Sequence, residues 1–328
     1  MDGDAAALPV RVMAVHRGRM SVAGDGVAED VHPHIPGAQS EEDFATIGDW
    51  VLIDPDTRQP MRLLDRFSLF KRRAPGAGVG VQLIAANVDT VFIVTSCNDD
   101  FNIARLERFL VLAREAGAEP VIVLTKSDLA DAPGDYASQA AKLQPGLLVE
   151  TVNAHDESST ACLQAWCGTG QTVAFIGTSG VGKSTLINTL TQSLQATGGI
   201  REDDAKGRHT TTSRSMHRLD QGGWLLDTPG MRELQITDSA AGLEDLFGDI
   251  MELETQCKFN DCAHISEPGC AVKAAIDAGE LDPDRVARWR KLAAEDALNT
   301  ETIAERHTRE RSFGKMVKAH MKAKKDRY

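Results

Sequence analysis

The sequence predicts a multidomain chain with a small all-β module at the N-terminus, a central α/β domain of the phosphate-binding-loop type, and a mostly α C-terminal part built around a metal-ligand cluster. Three observations predict it. Short strand-like runs separated by turns fill residues 1–70. A β-prone run, a glycine-rich loop and a helix start follow one another over residues 172–190. Three soft thiol ligands and one imidazole crowd into residues 257–270, ahead of a segment rich in Ala, Glu, Arg and Leu.

In the N-terminal module the strand-like runs are Val10 to Val15, Trp50 to Ile53 and Met61 to Leu64. Turn-rich stretches such as Ala23-Gly24-Asp25-Gly26 and Asp54-Pro55-Asp56 separate them, a pattern typical of small barrels. Arg11, Arg17, Arg19, Arg62, Arg66, Lys71, Arg72 and Arg73 could supply contacts to nucleic-acid phosphates; charge solvated on a barrel surface is the plainer alternative. The stretch from Arg73 to Gly80 reads as a linker. The expected domains are residues 1–73, 80–240 and 241–328.

The apolar run Pro120 to Leu124 ends at Thr125-Lys126-Ser127-Asp128. An Asp at such a strand end can accept two hydrogen bonds from the N1–H and exocyclic amine of guanine, a donor pair that adenine lacks. The Lys126 stem can lie along the purine face. Asn153-Ala154 is a candidate for the loop touching the base oxygen, and an ordinary turn reads equally well there.

Thr172 to Ile176 is a β-prone run, and Gly177-Thr178-Ser179-Gly180-Val181-Gly182-Lys183-Ser184 after it fits G-x-x-x-x-G-K-[ST]. Thr185 continues into a helix, and it is counted with the loop as nucleotide-binding. The glycines let the backbone wrap a phosphate closely, and the helix N-terminus favours its charge. Lys183 is expected on the β- and γ-phosphates and Ser184 on Mg²⁺. Trp224-Leu225-Leu226 is a second strand, ending at Asp227-Thr228-Pro229-Gly230. Asp227 can hold Mg²⁺ through water, and the Gly230 N–H can meet the γ-phosphate.

Between these motifs lies Gly207-Arg208-His209-Thr210-Thr211-Thr212, where a Thr is needed to close a loop over Mg²⁺. Spacing leaves open which Thr it is. Many GTPases orient the attacking water with a Gln after D-x-x-G; Met231 stands at that position here. His209 is the nearest polar candidate to hold the water instead, an exposed loop His being the plain alternative. Together these motifs make a GTP site in rotated order, with the guanine-reading motif ahead of the phosphate loop.

Cys257, Cys262, His264 and Cys270 offer three thiolates and one imidazole, a set suited to a closed tetrahedral Zn²⁺ site. Cys97, Cys162 and Cys167 read as free buried thiols. Residues from Asp284 to Arg306 read as a helix. The chain as a whole is acidic, with Lys+Arg 36 against Asp+Glu 48 and a net charge of −12. Yet nine basic residues lie between Arg306 and Arg327, opposed only by Glu310 and Asp326. An acidic body with a basic tail points to a local nucleic-acid contact, a solvated terminus being the bland reading. No apolar run of about twenty residues suggests a membrane span. No secretory signal is visible, so a cytoplasmic location is expected.

The series Thr125-Lys126-Ser127-Asp128, Gly177 to Ser184, Gly207 to Thr212 and Asp227 to Gly230 resembles the circularly permuted bacterial GTPases called ribosome small-subunit-dependent GTPase A. Gly48-Asp49-Trp50-Val51, Gln82 to Asp89 and Cys257 to Cys270 extend the resemblance over nearly the whole chain. It implies an OB-type barrel, a circularly permuted GTPase domain and a zinc-binding domain. It also implies GTP hydrolysis to GDP and phosphate on the 30S subunit and its 16S rRNA late in maturation, with release coupled to hydrolysis. His209 is implied as the catalytic residue, Thr211 as the Mg²⁺-side Thr and the Cys₃His set as the Zn²⁺ ligands; a monomer is expected. Thr125 departs from the family pattern, which more usually has Asn there, and weaker contacts from this shorter side chain to the phosphate loop are expected. The late position of the γ-phosphate loops, within about thirty residues of Cys257, suggests that nucleotide state moves the zinc domain directly.

Overall fold

A computed structural model describes residues 7–73, 80–196, 215–227, 231, 234 and 236–300. The N-terminal strands are β1 (Leu8–His16), β2 (Arg19–Gly24), β3 (Val27–Val31), β4 (Trp50–Ile53) and β5 (Pro60–Leu63). They form one antiparallel sheet in the order β3-β2-β1-β4-β5. This is a five-stranded, partly open arrangement of the OB type. Alternation drives it: Val10, Val12, Met20, Val22, Val51 and Ile53 point inward to one small core. A bulge between Val12 and Ala14 lets the long β1 bend and serve both neighbours. Strands β2 and β3 were not expected as strands. Only the ends of β3, Val27 and Val31, are buried, so Ala28, Glu29 and Asp30 mask it as a polar loop.

Strands β6 (Leu69–Arg73) and β7 (Val81–Ala86) pair as an antiparallel ribbon between the barrel and the central domain. The central domain runs β8 (Thr90–Ser96), α1 (Ile103–Glu115), β9 (Glu119–Thr125), α2 (Pro133–Ala141), β10 (Leu148–Thr151), α3 (Glu157–Thr160), β11 (Thr172–Ile176), α4 (Lys183–Ala196), β12 (Ser215–Arg218) and β13 (Trp224–Asp227). Its six strands lie in the order β10-β9-β8-β11-β13-β12, parallel except for β12. Every residue of β8 is buried, as a central parallel strand covered on both faces requires. The Asn102 side chain caps α1 by accepting from the Arg105 N–H at 3.0 Å.

The last elements are α5 (Ala240–Thr255), α6 (Ala271–Asp277) and α7 (Pro283–Thr300). Helix α5 packs directly on α1. Gly242 makes this possible: a Cβ there would sit 2.3 Å from the Val111 carbonyl oxygen. Ion pairs flank the contact. Arg288 of α7 meets the buried Glu107 of α1 at 2.6 Å, and Arg108 of α1 pairs with Glu295 of α7. The C-terminal module is therefore seated on a helix of the central domain as well as following it in sequence.

Three expectations need correction. Arg11 is buried, and Arg66 grips the buried Asp49 through two 2.7 Å bonds, so neither presents a free charge to nucleic acid. Cys162 is exposed, whereas Cys97 and Cys167 are buried as expected. Burial pushes the Cys167 thiol up to about 11, which keeps it protonated and inert. No helix among the described residues is long and apolar enough to cross a membrane.

A methyl group at Gly242 cannot be accommodated without separating α5 from α1. Gly242→Ala should cost about 1–3 kcal/mol in chemical denaturation followed by the Trp289 environment; an unchanged midpoint would show that the two helices are not held this closely.

Candidate nucleotide site and metal centre

The parallel strands leave β8 in two directions. The chain from β8 proceeds to β9 and β10 on one side, and β11 then returns to the other side of β8. A crevice at the carboxyl ends of strands opens where such an order reverses. The ends of β9, β11 and β13 all fall there, carrying Thr125, Gly177 and Asp227 respectively.

The phosphate loop leaves β11 at Gly177, with φ 143°. A Cβ at this residue would meet the Val94 carbonyl oxygen of β8 at 2.2 Å, so only glycine lets the loop start so close to the central strand. Helix α4 begins at Lys183, which aims its first N–H groups at the crevice. The Lys183 ammonium, almost fully buried, donates to the Gly177 carbonyl at 2.8 Å and also to that of Thr178. It is thereby held inside the curve of the loop, where a phosphate chain would lie.

The base side is joined to this loop directly. Thr125 is completely buried, and its hydroxyl donates to the Val181 carbonyl at 2.6 Å, with the Thr95 carbonyl at 3.1 Å. The Gly182 backbone passes close by, its notional Cβ 3.4 Å from Thr125 Oγ1. The shorter Thr125 side chain therefore does reach the phosphate loop. Lys126 adopts a left-handed conformation (φ 57°), uncommon for a side chain with a Cβ, and this turns the chain sharply after β9. Its ammonium lies 3.8 Å from Asp100. Asp128 lies in the single helical turn that follows, Ser127–Leu129, and is exposed.

The loop after β10 reaches the same crevice. Val152 N–H donates to the Leu124 carbonyl at 2.8 Å, and Thr189 of α4 donates to the Ala154 carbonyl at 2.7 Å. Asn153-Ala154 is thus bracketed by the guanine motif and by the helix that follows the phosphate loop. Thr189 escaped sequence reasoning because a Thr in mid-helix carries no motif. Met231 is buried in the core and offers nothing polar to a water. His209, Thr210, Thr211, Thr212, Thr228, Pro229 and Gly230 lie outside the described residues, as does the basic segment from Arg306 to Arg327; of Asp227 only the backbone is described.

In the C-terminal module the ligand atoms of Cys257, Cys262, His264 and Cys270 all lie within 4.8 Å of one another. Tetrahedral zinc with ordinary bond lengths sets its sulfurs about 3.8 Å apart. Cys257 and Cys270 sulfurs are separated by 3.9 Å, and His264 Nδ1 lies 3.6 and 3.4 Å from them. The residues fit a Zn²⁺ ion without rearrangement. His264, in a left-handed conformation (φ 56°), turns Nδ1 toward the sulfurs and Nε2 toward Glu254, at 3.2 Å. A carboxylate on the far nitrogen fixes the tautomer that a metal needs. Glu254 was missed in the sequence; it stands in the last turn of α5, and the Cys257 N–H, just past the helix, donates back to its carbonyl at 3.1 Å.

The RsgA GTPase family model matches residues 63–237. An ABC transporter model matches residues 163–318, a stretch holding the phosphate loop that both kinds of protein use. A protein of Vibrio parahaemolyticus named small ribosomal subunit biogenesis GTPase RsgA 2 is 52% identical over 97% of this chain and 87% of its own length. One of Mesorhizobium japonicum, named small ribosomal subunit biogenesis GTPase RsgA, is 54% identical over 90% of this chain and 86% of its own. The crystal structure of YjeQ from Thermotoga maritima aligns with a TM-score of 0.63 at 26% identity, covering 87% of this chain and 97% of that one. YloQ, described as a circularly permuted GTPase, aligns over 92% of this chain and 99% of its own with a TM-score of 0.59; at 24% identity it speaks for the fold.

Two outcomes follow from the geometry. Thr125→Val keeps the volume but leaves the Val181 carbonyl without its donor, and should weaken GTP binding about tenfold in a fluorescent-nucleotide titration; unchanged affinity would remove the tether from the site. Glu254→Gln should lower zinc affinity about tenfold in competition with a chelator, and equal affinity would detach Glu254 from the metal centre.

Proposed function

This chain belongs to the RsgA GTPase family, and we propose that it hydrolyses GTP in the biogenesis of the small ribosomal subunit. The observation that carries this reading is the Thr125 hydroxyl on the Val181 carbonyl. Two motifs some fifty residues apart, in the reverse of the usual order, share one crevice sized by a single side-chain contact.

Within that crevice Asp128 reads the guanine edge, with Lys126 along its face and Asn153-Ala154 beside it. Gly177, Thr178, Ser179, Gly180, Val181, Gly182, Lys183, Ser184 and Thr185 surround the phosphates. Ser184, Thr211 and the Asp227 strand end are the residues to hold Mg²⁺, which neutralises charge developing on the phosphates. Gly230 follows the γ-phosphate. Met231 being buried, His209 takes the role of holding the attacking water and removing its proton. Zn²⁺ on Cys257, Cys262, His264 and Cys270 stabilises the C-terminal module and takes no part in hydrolysis.

The partner is the 30S subunit, met through its 16S rRNA late in maturation, with hydrolysis to GDP and phosphate coupled to release. The OB-type sheet and the basic segment from Arg306 to Arg327 are the RNA-facing parts of an otherwise acidic, monomeric, cytoplasmic protein. Residues 1–73, 80–240 and 241–328 form the three functional units. The names of the two relatives and the joined nucleotide crevice support this assignment.

Turnover measured with and without purified small subunits tests it. Intrinsic hydrolysis should be slow, of the order of 10⁻⁴ to 10⁻² per second, and should rise on adding subunits. His209→Ala should retain GTP affinity and lose at least about tenfold in turnover. Full activity in that variant would take His209 out of the chemistry.

A further inference from the structure

A charged side chain is buried where the barrel meets the central domain, and nucleotide binding does not use it. Arg11 of β1 is 6% exposed. Its Nε donates to the Gly48 carbonyl at 3.3 Å, and its Nη2 donates to the Asn87 carbonyl at 3.1 Å and the Thr172 hydroxyl at 2.7 Å. These acceptors belong to the barrel, to the crossover that leads from β7 into β8, and to β11. One guanidinium therefore bonds three segments that lie 37, 76 and 161 residues from it. Asp49 and Asp89 supply opposite charge close by, and the Trp50 ring lies 5.6 Å from the guanidinium carbon. Burial lowers the Arg11 pKa to about 10, which still leaves it charged at neutral pH.

Thr172 is held on both sides. Its N–H donates to Asp89 Oδ2 at 2.7 Å, while its carbonyl accepts from the Asp89 N–H at 2.9 Å. Thr172 is the first residue of the strand whose far end opens the phosphate loop. A strand of five residues spans about 17 Å, so Arg11 lies well away from any bound nucleotide. A strand paired on both sides within a sheet moves as a body, and what is bonded to its start keeps a fixed orientation to its end.

We propose that Arg11 is a positioning residue, the joint that fixes the angle of the barrel to β11 and so sets how a barrel bound to RNA presents the nucleotide crevice to the ribosomal subunit. The inference rests on the ribosomal reading above. It needs the fork of the guanidinium, since a lysine ammonium cannot span three acceptors in different segments. It also accounts for a positive charge buried on a strand of an RNA-facing sheet.

The test uses the full chain with Arg11→Lys and, as a milder change that leaves the charge in place, Thr172→Val. Intrinsic kcat and KM for GTP should stay within about twofold of the parent. Turnover stimulated by small subunits should fall about tenfold in Arg11→Lys, with a smaller loss in Thr172→Val. A pair of fluorophores on unnatural amino acids at Ala28 in the barrel and Lys142 in the central domain should report a broadened distance distribution in both variants. Loss of subunit-stimulated turnover alongside intact intrinsic turnover is the signature that general destabilisation does not produce. Stimulation retained in both variants overturns the joint, whatever the distances show, and so does an equal loss of intrinsic and stimulated rates. The parent protein separates this from the reading beneath it: absence of stimulation in the parent itself sinks the ribosomal function and says nothing about Arg11.

Discussion

The nucleotide site depends on one buried hydrogen bond, from the Thr125 hydroxyl to the Val181 carbonyl. A carbonyl in a phosphate loop has given up its backbone partners so that the neighbouring N–H groups can face a ligand. Buried without a donor, it would cost about 1–3 kcal/mol, a strong pull toward collapse of the loop. Thr125 supplies the donor from the end of β9, two strands away across β8. The same bond fixes the distance between base-reading and phosphate-reading groups, which is what a ligand of defined length requires. The order of the motifs along the chain is then of no consequence to binding, because the sheet restores their neighbourhood.

Much of this was legible in the sequence where chemistry is written in contiguous residues. The loop from Gly177 to Ser184 and the cluster from Cys257 to Cys270 announce themselves, because glycine spacing and soft-ligand spacing have few other causes. What was not legible depends on distant partners. Arg11 looks like any arginine on a strand, and its burial follows from acceptors far along the chain. Asn153-Ala154 read equally well as a base-side loop or a turn; the structure shows a turn, closed by the Asp156 N–H on the Asn153 carbonyl, and its place beside β9 and Thr189 comes from pairing far along the chain. Strand β3 is hidden by Glu29 and Asp30, which face solvent. The roles of His209, Thr211 and Gly230 still rest on the motif alone, for these residues lie outside the described part of the chain.

The C-terminal module shows how sequence adjacency and spatial adjacency diverge. Reading along the chain, its link to the central domain is the stretch after Asp227. In three dimensions it also sits on α1, through Gly242 against Val111 and through the pairs Arg288–Glu107 and Arg108–Glu295. Helix α1 follows β8, the strand that flanks both the phosphate loop and the guanine motif. The module is thus joined to the central domain by helix packing as well as by chain continuity.

Among the described residues, the sheet of the central domain ends on one side at β12, a short antiparallel strand. Strand β1 of the barrel comes close to that edge. Sheet edges are places where proteins commonly set a cover. The barrel supplies part of that cover, so the outermost described strand of the nucleotide-binding sheet takes one of its neighbours from another domain.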